Sequence, residues 1–251
     1  MLTHPLFEQL KTLRCQGMID ALQEQLETPN VNQLPFDERL ALLVERECIL
    51  RDNRRMTNRL RQAKLKEEAC LEDIDYQSPR GLSKAVVARL AICQWITNKQ
   101  NLLITGPTGT GKTWLACAFA NQACRQGHSA RYIRLPRLFH TLEIAKGDGS
   151  YIKLMDTLAK TQLLILDDWG VAPMIDTHRR DLLEIMDDRY NRSSTLITSQ
   201  LPVNLWHEAI GDATLADAIL DRLVHNAHRL DMKGDESMRK KQAKNIAEEK
   251  D

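Results

Sequence analysis

The sequence predicts an α/β fold built on a parallel sheet flanked by helices and preceded by a small all-helical domain. Three observations carry that reading. From residue 101 onward, short β-rich runs alternate with helix-like segments. The first of these runs leads into a glycine-rich loop and then into a helical pattern. Before residue 100 there is no strand signal, and leucines and isoleucines recur at helical intervals.

The helical part comes first. Leu6, Leu10, Leu13, Ile19, Leu22 and Leu26 form one stripe, which Pro29 and Asn30 interrupt. Pro35 opens a second pattern, FDERLALLVERECIL, that runs into RDNRRMTNRLRQAKLK at 51–66. That stretch holds seven Arg or Lys against one Asp, in a chain whose formal net charge is only +1. On a helix, Arg51, Arg55, Arg59 and Lys66 share one side, which Arg54 and Arg61 extend; Met56, Leu60 and Ala63 lie opposite. Together with Lys64 this is a wide positive face. Phosphate backbones suit it, because charge neutralisation releases counterions without reading sequence. No aromatic residues interleave to favour single strands. Two other readings stay open: a solvated helix balanced by Glu67, Glu68, Glu72, Asp73 and Asp75, or a contact for an acidic protein surface. The expected domains are therefore a helical one over 1–70, a connector over 71–86 containing Pro79 and Gly81, a sheet-bearing α/β domain over 87–239 and a charged tail over 240–251.

The expected strands are NLLIT (101–105), ARYIR (130–134), LLILD (163–167), TLITS (195–199) and a short HRLDM (228–232). The first feeds Gly106-Pro107-Thr108-Gly109-Thr110-Gly111-Lys112-Thr113, a full match to G-x-x-x-x-G-K-[ST]. Glycines let the backbone N–H groups turn towards phosphate oxygens, and the following helix N-terminus adds partial positive charge. Lys112 is expected on the β/γ-phosphates of ATP and the Thr113 hydroxyl on Mg²⁺. LLILDDWG delivers Asp167, a second Mg²⁺ residue, and Asp168, which would orient the attacking water or simply cap a helix. The next strand ends in Thr198-Ser199-Gln200; Gln200, with Ser199 second, would contact the γ-phosphate or the water, or the strand end makes only turn bonds. In TLADAILDRLVHNAHRL, Leu215, Ile219 and Leu223 form an apolar stripe that Arg222 interrupts. Arg222 is either a finger reaching a neighbouring subunit's ATP or the partner of Asp217 or Asp221 in its own chain. Arg134, Arg137, Lys146 and Lys153 follow the second strand and are further candidates for DNA.

Composition narrows the class. With 43% hydrophobic and 27% charged residues it is that of an ordinary globular protein. No apolar run approaches the length of about eighteen residues that a membrane helix needs. The N-terminal MLTHPLFEQLKTLR has no apolar core of a secretory signal. Six cysteines without a CxxC pair point to reduced thiols in the cytoplasm. His225 and His228 are three apart but have no supporting Cys or carboxylate cluster, so no metal site beyond Mg²⁺ is expected.

Taken together, LEDIDYQSPRGLSKAVVARLAICQWI, NLLITGPTGTGKT, LLILDDWG, TLITSQLPVNLWHEAIGDATLADAILDRLVHNAHRL and GDESMRKK resemble the IstB family. These are AAA+ helper ATPases of bacterial insertion sequences, similar to the helicase loaders DnaC and DnaI. The phosphate loop is generic; the TSQLP…WH…ADAILDRLVH stretch is far more specific. The resemblance implies an initiator-type AAA+ sheet of order 5-1-4-3-2. It also implies a cytoplasmic, nucleoid-associated homo-oligomer that assembles with ATP on duplex DNA, bends it, and recruits and stimulates a partner transposase. It carries over Lys112, Thr113, Asp167, Asp168, Gln200 and Arg222 in the roles given above. Residues 223–251 are too few for the usual four-helix lid, which leaves Arg239 as a doubtful second sensor. Three alternatives remain: a helicase loader of the DnaC/DnaI kind, a nucleotide-dependent scaffold that scarcely hydrolyses ATP, since Asp168 is shorter than the usual Glu, and a small-molecule kinase.

Overall fold

The structure, a computed structural model, describes residues 3–29, 31–234 and 237–238. The chain divides into two compact units, Met1–Asn58 and Arg59–Asp251.

The first unit holds α1 (Thr3–Thr12), α2 (Gln16–Glu27) and most of α3 (Phe36–Ala63). The break at Pro29 and the restart after Pro35 fall where expected. The leucine stripe from Leu6 to Leu26 is not one helix, however: Leu13–Cys15 interrupt it, with Arg14 left-handed at φ 56°. Asp37 and Glu38 in the first turn of α3 and Arg61 in its last follow the helix dipole. A Cβ on Gly17 would lie 2.7 Å from Glu47 Cα and 2.8 Å from the Arg46 carbonyl oxygen, so only glycine lets α2 approach α3 this closely. Cys15 gives α2 no side-chain cap. Glu47 reaches over from α3 instead and accepts the Gly17 and Met18 N–H groups at 2.6 and 3.3 Å.

The second unit carries five parallel strands: β1 (Asn101–Thr105), β2 (Ala130–Arg134), β3 (Leu163–Trp169), β4 (Ser194–Ser199) and β5 (Ala227–Asp231). Their order is β2-β3-β4-β1-β5, the expected 5-1-4-3-2 seen from the other edge. Side chains alternate between two apolar layers. Leu102, Ile104, Leu163, Ile165 and Leu196 pack with α4 (Lys84–Ala91), α5 (Gln94–Thr97) and α6 (Lys112–Arg125). Leu103, Leu164, Leu166 and Ile197 pack with α7 (Leu135–Asp148), α8 (Tyr151–Lys160), α9 (Asp176–Arg189), α10 (Trp206–Ile210) and α11 (Ala213–Val224). Burial on both faces is why β1 carries the run LLI and β3 the run LLIL without polar alternation.

The division lies at Asn58/Arg59, twelve residues before the expected 70. The reason is packing. Ala63, Ala69 and Ile74 are buried in the α6 layer, and Leu60, Leu65 and Leu71 lie against it. The end of α3 and the connector are thus part of the second unit's core. The ends of β1, β3 and β4 converge at one edge: Thr105 pairs with Ser199, and Trp169 also pairs with Ser199. The site grows from that edge.

Candidate functional site

Gly106–Thr113 leave β1 as a tight loop. Gly106 has φ 144°, and a Cβ there would lie 2.2 Å from the Met232 carbonyl oxygen. Gly111, at φ 93°, is the turn from which α6 starts. Lys112 opens α6 and curls back, its Nζ donating to the Gly106 and Pro107 carbonyls at 2.7 and 2.8 Å. Burial pushes the Lys112 ammonium below its ordinary range, and the Asp167 and Asp168 charges oppose that push. The loop therefore offers an ammonium and a helix N-terminus at one point, as phosphate requires.

Asp167, 1% exposed, sits at the centre. The Thr113 hydroxyl donates to its two oxygens at 3.0 and 3.1 Å, and the Tyr132 and Thr198 hydroxyls donate to it as well. Three hydroxyls on one carboxylate hold it in a single orientation. Burial and this bond raise the Tyr132 phenol far above its usual range, so it stays a donor. The sequence assigns neither Tyr132 nor Thr198 such a role; Thr198 carries the signal of a polar group in a fully buried strand, and Tyr132 carries none.

Asp168 has φ 64° and lies in an irregularity of the β3–β4 pairing between Leu166 and Trp169. A non-glycine residue held left-handed carries strain, and here it turns the carboxylate out of the strand. Asp168 does not cap a helix, since α9 begins only at Asp176. Its carboxylate accepts the Arg134 Nε–H at 2.6 Å. Among the three residues ending β4, Ser199 is occupied with turn bonds, donating to the Trp169 carbonyl at 2.9 Å and accepting from the Leu201 N–H at 3.0 Å. Gln200 faces the loop, accepting the Thr108 hydroxyl at 2.8 Å.

These groups line one cavity of about 840 Å³, which includes Lys112, Thr113, Asp167, Asp168 and Gln200. Its far wall comes from the connector, through Asp73, Asp75, Gln77 and Arg80, and from Met238. From sequence that stretch was only a linker. The volume suits a nucleoside triphosphate. A magnesium ion fits the donor set as well: one oriented carboxylate and one hydroxyl, with phosphates and water to supply the rest.

Arg222 pairs with neither Asp217 nor Asp221. Its Nε–H donates to Asp187 on α9 and its Nη1 to the Ala218 carbonyl at 2.6 Å. Asp217 and Asp221 lie instead against His207 and His225.

The basic candidates divide. Arg51 is engaged by Glu47 at 2.6 Å and lies near the Cys15 thiol at 3.5 Å. Arg59 donates to the Cys124 carbonyl at 2.8 Å, and Lys146 to Asp181 at 2.6 Å. These three are tied within the fold, as is Arg134 on Asp168. Arg54, Arg61, Lys64, Arg137 and Lys153 are exposed, and Arg55 is exposed beside Asp52. Arg239 and the 240–251 tail lie outside the described residues. Among those described, no helix is long and apolar enough to cross a membrane.

Comparison with known proteins adds three findings. The family described as IstB-like ATP binding protein matches residues 8–246. An insertion-sequence ATP-binding protein of Sinorhizobium fredii is 52% identical over 242 residues, spanning 96% of this chain and 98% of that protein. Among solved structures, DnaI superposes with a TM-score of 0.57 at 21% identity, over 66% of this chain and 91% of that one. The DnaC helicase loader gives 0.55 at 23%, over 68% and 100%. At those identities the two structures speak for the AAA+ fold alone.

Proposed function

The chain belongs to the IstB-like ATP-binding protein family, and from that premise we propose that it is an Mg²⁺-dependent ATPase that helps transposition by assembling on duplex DNA. The observation that carries the reading is the Lys112, Thr113–Asp167 and Asp168 cluster at the head of the nucleotide-sized cavity.

The loop N–H groups bind the phosphates, and Lys112 exchanges its Gly106 and Pro107 carbonyls for β/γ-oxygens. Magnesium, when bound, would supply neutralisation of phosphate charge. Thr113 and Asp167, already aligned, hold its place without rearrangement. Asp168 orients the attacking water, for which it must leave Arg134. Gln200 faces the same space from β4 and senses the γ-phosphate. Arg222, released from Asp187, completes the site of the next protomer, so ATP sits between subunits. Such head-to-tail contacts generate a spiral or a ring. Exposed Arg54 and Arg55 in the first unit, and exposed Arg61, Lys64, Arg137 and Lys153 in the second, each contribute phosphate contacts to duplex DNA. Bending a 20–30 bp site costs of order 1–6 kcal/mol, which many phosphate contacts offset. The assembly engages a partner transposase, and hydrolysis to ADP and phosphate dissolves it.

The test is binding of a labelled duplex of about 50 bp and of its single strand, with ADP, ATP or a non-hydrolysable analogue, across salt. We expect duplex binding that needs an ATP form, falls steeply with salt, and weakens when Arg54 and Arg55 become Ala. Preference for the single strand would favour the helicase-loader reading. Binding to neither would overturn the DNA role.

A further inference from the structure

The connector does more than link. Arg80 sits in its Ser-Pro-Arg-Gly turn and is only 7% exposed, yet it lines the nucleotide cavity. Its Nη2 donates to the Asp75 carbonyl at 2.7 Å and its Nη1 to the Thr110 carbonyl at 3.3 Å, inside the phosphate loop. Its Nε is buried without any hydrogen-bond partner. Among the described residues no carboxylate forms an ion pair with it. A buried guanidinium bonded to two carbonyls, with the Asp75 charge acting on it but no carboxylate hydrogen-bonded to it, is only partly compensated, and burying such a charge is costly unless something negative joins it. The neighbour that could do so is the phosphate site: Nη1 lies 3.1 Å from where a Cβ on Gly111 would be.

Arg80 also joins three segments. Its side chain ties the connector to the phosphate loop, and its own carbonyl accepts the Lys233 N–H at 2.9 Å. Next to it, the Met232 N–H donates to the Thr105 carbonyl at the end of β1 at 2.7 Å, and the Met238 N–H donates to the Gly109 carbonyl in the loop at 2.9 Å.

We propose that Arg80 is a nucleotide-binding residue: a cation held by the connector behind Thr110–Gly111 whose charge the nucleotide's phosphates compensate. Occupancy then tightens the connector and residues 232–234 against the edge from which the loop leaves. The inference rests on the nucleotide reading of this site, so its test must separate the two.

The experiment titrates fluorescent ADP and an ATP analogue into the full chain, wild type, Arg80→Met and Arg80→Lys, with Lys112→Ala as control and melting temperatures alongside. We expect Arg80→Met to fold and to bind both nucleotides about 10- to 100-fold more weakly, the range for a charge-assisted contact, with Arg80→Lys between. Affinity within twofold of wild type, whatever the melting temperature, would make Arg80 a structural clasp and overturn the inference. Wild type that binds no nucleotide would overturn the underlying reading instead. Should Arg80→Met fail to fold, hydrogen exchange of the wild type decides: slower exchange at 74–83 and 232–234 on adding ADP is expected, and no change there overturns the coupling.

Discussion

Asp167 and Asp168 are adjacent but live in different surroundings. Asp167 is buried under three hydroxyls, whereas Asp168 is partly exposed and paired with an arginine on the neighbouring strand. The strand pairing brings this about: Arg134 stands opposite Asp167, and the left-handed Asp168 swings its carboxylate to the Arg134 guanidinium. In the lone protomer Asp168 is therefore occupied. Arg134→Ala should raise basal phosphate release several-fold by freeing it, while Asp168→Ala should lower release about 100-fold or more and leave nucleotide affinity unchanged. A stopped phosphate-release assay with parallel binding titrations checks both. If Arg134→Ala lowers release, the arginine assists the chemistry rather than restraining it. The motif named the two aspartates, because a buried strand ending in acid is a local pattern. It could not name Tyr132, Thr198 or Arg134 as their partners.

At the scale of elements, side chains from one helix complete the ends of another. Glu47 serves α2 in this way. Burial alone would raise its carboxyl, but hydrogen bonds from Arg51 and from the Gly17 and Met18 N–H groups outweigh that and hold it below the ordinary 4.5. A carboxyl depressed on folding stabilises above its unfolded value and loses that contribution as pH falls through the folded one. The α2–α3 packing should thus weaken as pH falls below the ordinary carboxyl range, and Glu47→Gln should flatten the dependence in a circular-dichroism pH melt. Arg51, expected on DNA, acts here as the carboxylate's partner. Arg189 plays a comparable part in the second unit. Fully buried at the end of α9, it donates to the carbonyls of Leu158, Thr161 and Ser194 and to the Thr195 hydroxyl. Arg189→Met strands those acceptors and should cost roughly 2–4 kcal/mol by urea denaturation. A loss under about 0.5 kcal/mol would mean that water replaces the guanidinium.

For the whole molecule, the assembly proposed above turns on Arg222. Arg222 on α11 is tied to Asp187 on α9, and under the proposed function it must leave that carboxylate to reach a neighbouring protomer. Asp187→Ala should release it and shift ATP-dependent assembly to lower protein concentration, seen by analytical ultracentrifugation; Arg222→Ala should abolish the assembly and keep nucleotide binding. Assembly unaffected by either would remove Arg222 from the interface. The sequence by itself determined the fold class, the strand order by family resemblance, the phosphate loop and the paired acids. All but the strand order are written in short windows: brief apolar runs, glycines at fixed offsets, an acid at a strand end. Only the tertiary structure decided the partners. Arg80 meets Thr110, Arg134 meets Asp168 and Arg222 meets Asp187 across 30, 34 and 35 residues of chain. Those meetings depend on how strands register and helices pack, and no local spacing encodes them. The same reason moved the unit boundary from residue 70 to Asn58/Arg59: where a helix ends is local, but which core its last turn joins is not.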